Sequence, residues 1–392
     1  MIPLQKNAFL NEKETRRALA DFIIQTERLS MGEKCREFKE VFAKKQGRTD
    51  AVLFTSGGGA NLALFQALKN LGQLKNGDLV GFSGLTWSTN VMPIIQMGLT
   101  PVIIDCDPQT LNVMSHHLEE VLGRKKLQAL FITNVLGFAG DLEKIREICK
   151  KHNVILLEDN CESLGTELPT GKTGNFGVAS TFSFFVAHHM STIEGGMICT
   201  DDEDIGEMLR IVRANGWDRN LTSAQQQRLR TKHNISSEFD AKYTFYHLGF
   251  NVRPTEIVGF LGLFQLQYLD ENVRAREKNY LEIEKYVRKN DDFFTLNRDH
   301  LTTLSSFAIP IICKTSELKE KYAKIFAEAG IEIRPMIAGN IQRQPFYKIH
   351  VEEIRHLPGT DIIHDNGFYC GNYPELTEDD IQTITRCLEK NE

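Results

Sequence analysis

The stretch Thr181–Met197 reads T-F-S-F-F-V-A-H-H-M-S-T-I-E-G-G-M. It opens with an apolar and aromatic run, which predicts a buried strand. A polar segment with the histidine pair His188-His189 follows, and Glu194 precedes a double glycine, which permits a sharp turn or the close approach of a ligand. The apolar residues 197–200 predict the next strand. Two strands therefore flank a short segment that carries two imidazoles.

Upstream of this stretch, apolar runs alternate with helical patterns. The runs at 102–105, 129–134 and 154–158 are separated by helical stretches. This alternation predicts an α/β fold with a mostly parallel sheet and helices on both faces. Residues 11–47 have apolar positions at helical spacing and predict an N-terminal helical segment.

The composition of the chain changes from residue 221 onward. Residues 221–246 are polar and predict an excursion or a mobile flap. From about residue 270, a helix with charges on its exposed side leads into a region with predicted strands at 305–313 and 331–335 and a predicted helix at 317–329.

Composition sets broad limits on domain number and function. A chain of 392 residues can hold two domains, and we expect a large domain at 1–265 and a smaller α+β domain at 266–392. Hydrophobic residues make up 41% and charged residues 25%, which is ordinary for a soluble globular protein. The net charge of -6 argues against a general nucleic-acid binder, which needs a basic surface.

Targeting and metal signals are lacking in the sequence. No apolar run approaches the roughly 20 residues that span a bilayer, and the start M-I-P-L-Q-K-N has no apolar signal-peptide core, so we expect a cytoplasmic protein without membrane contact. The eight cysteines include no C-x-x-C pair. That pattern predicts reduced thiols and no zinc or iron–sulfur site.

A glycine turn forms the first candidate binding element. Ser56, Gly57 and Gly58 follow a short apolar strand at 50–55 and precede the helical run L-A-L-F-Q-A-L. A strand, a glycine turn and a helix together aim free backbone N–H groups and the positive end of the helix at an anion. A glycine triplet alone is a weak signal, because many turns are rich in glycine.

Two acids form the second candidate element. Asp159 and Glu162 follow the apolar run 154–158. An acid at the carboxyl end of a parallel strand faces the ligand crevice of an open α/β sheet. The alternative is that such an acid is solvated and caps the next helix.

These motifs together resemble the sugar aminotransferases, a branch of the fold-type I enzymes that use pyridoxal phosphate (PLP). In that family S-F-x-x-x-K is followed by G-E-G-G. Ser183 starts the match, Glu194 to Gly196 end it, and the lysine position falls on His188. This replacement is the mark of the smaller 3-dehydratase group in the family. The resemblance implies a seven-stranded, mostly parallel sheet in the large domain and a homodimer.

The resemblance also implies roles for individual residues. Ser56, Gly57 and Gly58 would hold the PLP phosphate, Trp87 would stack on the pyridine ring, and Asp159 would face the ring nitrogen. Further implied contacts are Glu162 with the cofactor hydroxyl, Ser183 and His188 with the cofactor, Asn251 with the cofactor phosphate of the partner subunit, and Ser88, Arg219 and Arg334 with the substrate. Besides His188, three positions depart from the pattern of the aminotransferases: Gly58 replaces a hydroxyl residue, Glu162 replaces a glutamine, and Asn215 replaces a histidine.

The implied activity is 3-dehydration of a nucleotide-linked 4-keto-6-deoxyhexose, with GDP-4-keto-6-deoxymannose as the expected sugar and L-glutamate as the amino donor. Ammonia would be released, and the deoxysugar would serve a surface polysaccharide. An imidazole cannot bond covalently to PLP as a lysine amine does, so PLP and pyridoxamine phosphate would bind non-covalently, with His188 as proton shuttle.

Three other interpretations stay open at the level of sequence. The protein could be a sugar-nucleotide 4-aminotransferase that has lost its lysine, or a non-catalytic protein of the PLP fold that binds a sugar nucleotide. His188 could also be an ordinary histidine bonded to a carbonyl or solvated, as we expect for His189. A tryptophan after a strand, such as Trp87, is commonly a core residue.

Overall fold

The computed structural model of the protein describes residues 1–390. Twelve strands are present in this part of the chain: β1 (Asp50–Phe54), β2 (Leu79–Ser83), β3 (Thr100–Ile104), β4 (Ala129–Thr133), β5 (Ile155–Asp159), β6 (Glu167–Leu168), β7 (Gly171–Lys172), β8 (Ala179–Ser183), β9 (Gly196–Thr200), β10 (Ala308–Ile312), β11 (Ile333–Pro335) and β12 (Gly367–Gly371).

Fifteen α-helices accompany them within residues 1–390: α1 (Glu12–Gln25), α2 (Glu33–Gln46), α3 (Gly57–Asn70), α4 (Ser88–Gln96), α5 (Ser115–Leu122), α6 (Leu142–His152), α7 (Glu203–Val212), α8 (Ser223–Lys232), α9 (Glu238–Ala241), α10 (Glu256–Leu266), α11 (Leu269–Val287), α12 (Ser316–Glu328), α13 (Pro345–His350), α14 (Pro358–Asn366) and α15 (Glu378–Leu388).

The central sheet has seven strands in the order β1-β9-β8-β5-β4-β2-β3. The strands β3, β2, β4, β5 and β8 pair in parallel, and β9 runs antiparallel to both of its neighbours, β8 and β1. The prediction of a mostly parallel, seven-stranded sheet is therefore confirmed. Parallel strands require crossover connections. Helices provide most of them here, and the connection from β5 to β8 instead carries the short strands β6 and β7.

Strand β8 shows how the aromatic run is used. Phe182 and Phe184 are buried, and their rings lie 5.2 and 5.3 Å from the ring of Phe42 on α2. Successive side chains of a strand point to opposite faces, so Ser183 points away from this aromatic cluster. The alternation thus anchors the strand on one face and presents a hydroxyl on the other.

The N-terminal region differs from the prediction of one helical segment over 11–47. Two helices, α1 and α2, are separated by residues 26–32. The carboxylate of Glu256 caps α2 from a distant part of the chain, because it accepts hydrogen bonds from the N–H groups of Gly32, at 2.5 Å, and Lys34. The break therefore depends on a tertiary contact that helical spacing does not report.

The polar stretch 221–246 also differs from the prediction of an irregular excursion or flap. It carries the short helices α8 and α9. Thr222 and Gln225 form a reciprocal capping box at the start of α8, which is a sequence signal for a helix N-terminus that the polar composition obscured.

The smaller region is built on a three-stranded antiparallel sheet with the order β10-β12-β11. The predicted strands and helix in this region are confirmed within a few residues, but the central strand β12 was not predicted. The expected boundary at residues 265 and 266 falls beside the end of α10 and stays a prediction. At the other end of the chain, Ile2 pairs with Ile331, so the N-terminal residues lie against this small sheet.

The expected absences concern membrane, disulfide and metal features. No helix in residues 1–390 has both the length and the apolar character needed to cross a membrane. All eight cysteines are free thiols. Over the same described residues, no cluster of three or more His, Cys, Asp and Glu side chains is placed to hold a metal ion.

Candidate active site

A cavity of about 450 Å³ lies at the carboxyl ends of β4, β5 and β8, and residues of the small sheet close its other side. Most of the side chains and backbone groups predicted for cofactor binding line this cavity. They are Ser56, Gly57, Gly58, Trp87, Asp159, Glu162, Ser183 and His188.

Asp159 ends β5 and is almost fully buried, with 3% of its surface exposed. Its Oδ2 accepts hydrogen bonds from Asn61 Nδ2 at 2.9 Å and Asn90 Nδ2 at 2.7 Å, and its Oδ1 accepts one from the Cys161 N–H at 2.9 Å. Three donors thus hold the carboxylate in one orientation at the cavity wall. A carboxylate in this setting can bind a protonated ring nitrogen.

Asn61 and Asn90 were missed in the sequence. Each stands on a helix that begins at the cavity, Asn61 on α3 and Asn90 on α4, and both are fully buried. The available signal was an amide residue within an otherwise apolar run, because a buried polar side chain needs a partner.

His188 follows β8 and lies beside Cys161. The His188 Nδ1 is 2.5 Å from the carbonyl oxygen of Cys161. A carbonyl oxygen only accepts hydrogen bonds, so Nδ1 carries the proton and donates it, and Nε2 keeps its lone pair. Burial lowers the pKa of His188 to about 4. At neutral pH the ring is therefore an uncharged base whose Nε2 is free to accept a proton.

His189 has the structural role expected for it. It is 1% exposed, and its Nε2 lies 3.0 Å from the carbonyl oxygen of Ser305. Burial holds the pKa of His189 well below its usual value. The two neighbouring histidines thus have different environments.

Glu162 lies on the cavity wall next to Asp159. Its Oε2 accepts a hydrogen bond from the Leu136 N–H at 2.9 Å. Burial, with a smaller contribution from the charge of Asp159, raises the pKa of Glu162 to about 7. The side chain can therefore hold or release a proton near neutral pH.

The turn at Ser56 to Gly58 has the geometry of an anion site. Ser56 caps α3, and its Oγ accepts a hydrogen bond from the Gly59 N–H at 3.0 Å. The N–H groups of Gly57 and Gly58 have no protein acceptor among the described residues and stand at the start of the helix, where the backbone attracts a negative group. A Cβ on Gly57 would lie only 2.7 Å from Ser183 Cβ, so glycine is required there.

Trp87 is placed for stacking rather than for the core. It is the residue before α4, lines the cavity and has 54% of its surface exposed. A large aromatic ring open to a cavity offers a flat apolar face to an aromatic ligand. Together with the phosphate-binding geometry of the turn and the carboxylate of Asp159, this wall fits a phosphorylated pyridine.

Four predicted residues do not line this cavity. Ser88 is the first residue of α4, and Arg334, on β11, is exposed and paired with Glu332 Oε1 at 2.5 Å. Arg219 and Asn251 lie in other parts of the surface. Within a single chain the structure therefore does not bring these four residues to the site.

The surroundings of Arg219 and Asn251 explain their positions. The Arg219 guanidinium lies over the ring of Trp217 at 4.1 Å and donates a hydrogen bond to the carbonyl oxygen of Lys242. Asn251 Oδ1 accepts one from Arg253 Nε at 3.0 Å. The role proposed for Asn251 concerns the partner subunit's site, so it stays a prediction, as does substrate contact by Arg219.

Asn215, the departure from the family pattern, has a conformational role. Its φ of 60° lies in the left-handed region, which asparagine tolerates better than most residues. Its N–H donates to the Phe250 carbonyl oxygen at 2.8 Å, and the side chain does not line the cavity.

Several cavity residues come from parts of the chain that carried no functional prediction. Gln5 lies near the N-terminus, Arg276 lies on α11, and Phe307 and Asn372 belong to the small region. For Arg276, a weak signal existed: polar residues at 272, 276 and 279 repeat at helical spacing on the buried face of α11.

Comparison with known proteins supports the architecture of this site. The model of the DegT/DnrJ/EryC1/StrS aminotransferase family matches residues 10–389. GDP-4-keto-6-deoxy-D-mannose 3-dehydratase of Escherichia coli O55:H7 is 32% identical over 374 residues, which cover 94% of this chain and 95% of the relative. The enzyme of that name from Yersinia pseudotuberculosis is 32% identical over 375 residues, with 94% of each chain covered.

Solved structures agree with this result. A crystal structure of GDP-4-keto-6-deoxymannose-3-dehydratase with a trapped PLP–glutamate adduct superposes with a TM-score of 0.90 at 29% identity, covering 99% of this chain and 100% of the other. The E. coli GDP-4-keto-6-deoxy-D-mannose-3-dehydratase with bound hydrated PLP gives a TM-score of 0.91 at 29% identity, with 99% of each chain covered. The predicted fold-type I architecture is confirmed. The chain belongs to the DegT/DnrJ/EryC1/StrS aminotransferase family.

Proposed function

We propose that the protein is a PLP-dependent 3-dehydratase that acts on GDP-4-keto-6-deoxymannose with L-glutamate as the amino donor. The observation that carries this proposal is the neutral imidazole of His188 at the position where the family has its lysine. The similarity to 3-dehydratases over 94% of the chain supports it. The deoxysugar product would serve a surface polysaccharide, and the eight free thiols suit the cytoplasm.

The cofactor would be held by the residues at the carboxyl edge of the sheet. The N–H groups of Gly57 and Gly58 at the start of α3 would bind the phosphate, with Ser56 and Ser183 beside it. Trp87 would stack on the ring, and the Asp159 carboxylate would hold the ring nitrogen. Glu162 would contact the ring hydroxyl. When bound, PLP and its amine form supply an electron sink and the nitrogen that condenses with a ketone.

His188 moves protons in this proposal. Because the Cys161 carbonyl holds Nδ1, Nε2 is the nitrogen that faces the reacting groups. It accepts a proton and then delivers one to the C3 hydroxyl oxygen of the sugar as that oxygen leaves. The ring of Phe307 packs beside the imidazole, with ring centres 5.3 Å apart.

The aminotransferase alternative needs an amine where the structure has an imidazole. No lysine is among the residues that line the cavity in the described chain. Without a lysine, the protein has no amine that displaces an amino sugar from the cofactor. The unsaturated amine left by loss of the C3 hydroxyl would instead be hydrolysed by water to a 3-deoxy ketone and ammonia. This favours dehydration over net transfer of the amino group.

We also propose a homodimer, as the family resemblance implies. Asn251 and Arg219 lie away from their own cavity, and the nearby surface exposes Phe239, Tyr243, Phe245 and Leu248. Exposed apolar groups of this kind are typical of interaction surfaces. Sedimentation equilibrium should give twice the 44.6 kDa chain mass, and a monomer that retains full activity would contradict the proposal.

The activity is tested with PLP, glutamate and the GDP-, CDP- and dTDP-linked forms of a 4-keto-6-deoxyhexose. Release of ammonia and a 3-deoxy sugar identified by mass spectrometry are expected, with the GDP form preferred. Accumulation of a 4-amino sugar would instead identify an aminotransferase. The absence of any turnover with all three nucleotides would favour a binding protein.

A further inference from the structure

Arg276 is a buried arginine on the wall of the active-site cavity. It lies on α11, is 3% exposed, and lines the cavity together with His188 and Phe307. Nothing in the proposed dehydration mechanism uses it. A charged group in such a position requires either a protein partner or a ligand.

The guanidinium is oriented by neutral acceptors. Its Nε donates to Asn272 Oδ1 at 2.6 Å, and its Nη1 donates to the carbonyl oxygens of Phe307, at 2.8 Å, and Asn372. These three bonds fix the plane of the group and use its Nε and Nη1. Its Nη2 donates to no acceptor among the described residues, although arginine normally uses this nitrogen when it binds a carboxylate in a fork.

The positive charge of Arg276 has no counter-charge in direct contact. No carboxylate of residues 1–390 forms an ion pair with it; Glu375 acts only from a distance, and its Oε1 accepts a hydrogen bond from Asn7 Nδ2. Burial lowers the pKa of Arg276 to about 10, so the group stays charged at neutral pH. The protein groups around Arg276 therefore replace only part of the water that would solvate its charge, and an anion would complete this environment.

The cavity offers few other places for an anionic ligand. The other ionisable acids and bases with a full charge available are carboxylic acids: Asp159, Glu162 and Glu194 line the cavity. None of these three side chains can attract an anion. The cofactor phosphate has its own site at the glycine turn. A carboxylate that enters next to His188 therefore meets one cation on the described wall, the guanidinium of Arg276.

We propose that Arg276 binds a carboxylate group of the amino donor through Nη2. The inference rests on the proposed function, because that function requires glutamate or a similar amino acid to enter this cavity. Nη2 offers two N–H donors and a positive charge to a carboxylate, while Nε and Nη1 stay on their neutral acceptors. The three neutral hydrogen bonds orient the guanidinium before the donor arrives, which reduces the ordering needed on binding.

The test separates donor binding from the sugar reaction. Calorimetry measures the binding of glutarate, a dicarboxylate without an amino group, to the PLP-loaded protein. The reaction of the PLP-loaded protein with L-glutamate is followed separately by the loss of PLP absorbance. Arg276→Gln keeps amide donors for the neighbouring carbonyls but removes the charge. We expect the glutarate Kd and the half-saturating glutamate concentration to rise roughly tenfold or more.

The matched control is Arg274→Gln on the same helix, because Arg274 is exposed. It should leave both donor measurements unchanged. The Kd of the sugar nucleotide is measured separately, with protein preloaded with pyridoxamine phosphate. Arg276→Gln should raise this Kd by a much smaller factor than it raises the Kd of glutarate. Equal weakening of sugar and donor would indicate a purely structural role for Arg276 and would overturn the inference, as would unchanged glutarate binding.

A folding defect does not remove the test. If Arg276→Gln has a disordered near-ultraviolet circular dichroism spectrum, Arg276→Lys replaces it, since lysine keeps the charge but loses the planar group that directs the Nη2 donors. Glutarate should then bind roughly threefold or more weakly, and wild-type affinity would overturn the inference. If the wild-type protein releases no ammonia from any sugar nucleotide, the proposed function fails, whereas the glutarate titration still reports on Arg276.

Discussion

At position 188 a single side chain separates two kinds of chemistry within one family. Lysine would give a covalent attachment for PLP, and imidazole cannot. The structure adds the reason that this imidazole can act as a base: the Cys161 carbonyl directs Nδ1, and burial keeps the ring neutral. The residue therefore combines a fixed orientation with a free proton acceptor.

Covalent attachment of PLP tests the role of His188. Borohydride treatment of the PLP-loaded protein should fix no PLP to the wild-type chain, because no lysine amine lines the cavity in the described structure. After the same borohydride reduction, His188→Lys should retain PLP on denaturation, as detected by mass spectrometry, and the unreduced variant should lose most of the dehydration activity. PLP bonded to a lysine of the wild-type chain would contradict the assignment of His188.

Glu162 gives a prediction about pH and stability. Burial raises the pKa of Glu162 to about 7 from its ordinary value of 4.5. The folded protein therefore binds this proton more tightly than the unfolded chain does, and the contribution to the free energy of unfolding falls as the pH rises from about 4.5 to 7. His188 has the opposite effect at lower pH, because its pKa is depressed and stability from this group increases with pH.

Glu162→Gln isolates the first of these effects. The variant should gain stability relative to the wild type as the pH increases through this window, by about 1–3 kcal/mol. Urea unfolding at pH 5 and pH 8 measures the difference. A stability difference that is independent of pH would show that Glu162 does not hold a proton in the folded protein.

Two elements, β8 and α3, approach each other closely at the edge of the site. The aromatic side chains of β8 pack on α2, and this leaves Ser183 facing the turn that starts α3. The turn lies so close to Ser183 that a Cβ on Gly57 would be 2.7 Å from Ser183 Cβ. Packing on one face of the strand and binding on the other are thus coupled through the alternation of side chains.

Gly57→Ala tests this coupling. The new Cβ would lie 2.7 Å from Ser183 Cβ, so either the helix start or the strand must shift. We expect a loss of about 1–3 kcal/mol in stability and weaker PLP binding, measured by urea unfolding and by fluorescence titration. Gly123→Ala is the control, because its Cβ would have no atom nearer than 3.5 Å; equal behaviour of the two variants would refute the argument.

In the whole molecule, the N-terminal residues form part of the cavity wall. Ile2 pairs with Ile331, Leu4 donates its N–H to Glu332 Oε2 at 3.0 Å, and Gln5 Nε2 donates to the carbonyl oxygen of Val186 at 2.6 Å. The first residues of the chain thus connect the small sheet to the loop that carries His188.

Removal of residues 1–5 should therefore affect the site more than the fold. We expect faster hydrogen exchange in the loop around Val186 and a lower rate of dehydration, while the melting temperature falls only slightly, because few buried apolar side chains are lost. Exchange mass spectrometry of this loop measures the effect. Unchanged exchange there would show that the segment does not hold the loop.

Local patterns were sufficient for much of the prediction. The alternation of strands and helices, the turn at Gly57 and the acid at Asp159 are properties of neighbouring residues, and they were confirmed as elements of the sheet edge. His188 was found because its flanking residues match a family pattern. Each of these signals depends on chain geometry over a few residues, where side-chain period and turn chemistry dominate.

The tertiary structure alone decided which distant residues meet. Asn61 and Asn90 converge on Asp159, and Arg276 reaches the cavity from α11, whereas Arg219 lies outside it. The sequence alone was enough to predict the edge of the sheet and the chemistry of His188, because both predictions depend on the order of neighbouring residues. The partners that orient these groups come from positions dozens to hundreds of residues apart, and their meeting depends on how the helices and the small sheet pack, which no local pattern encodes.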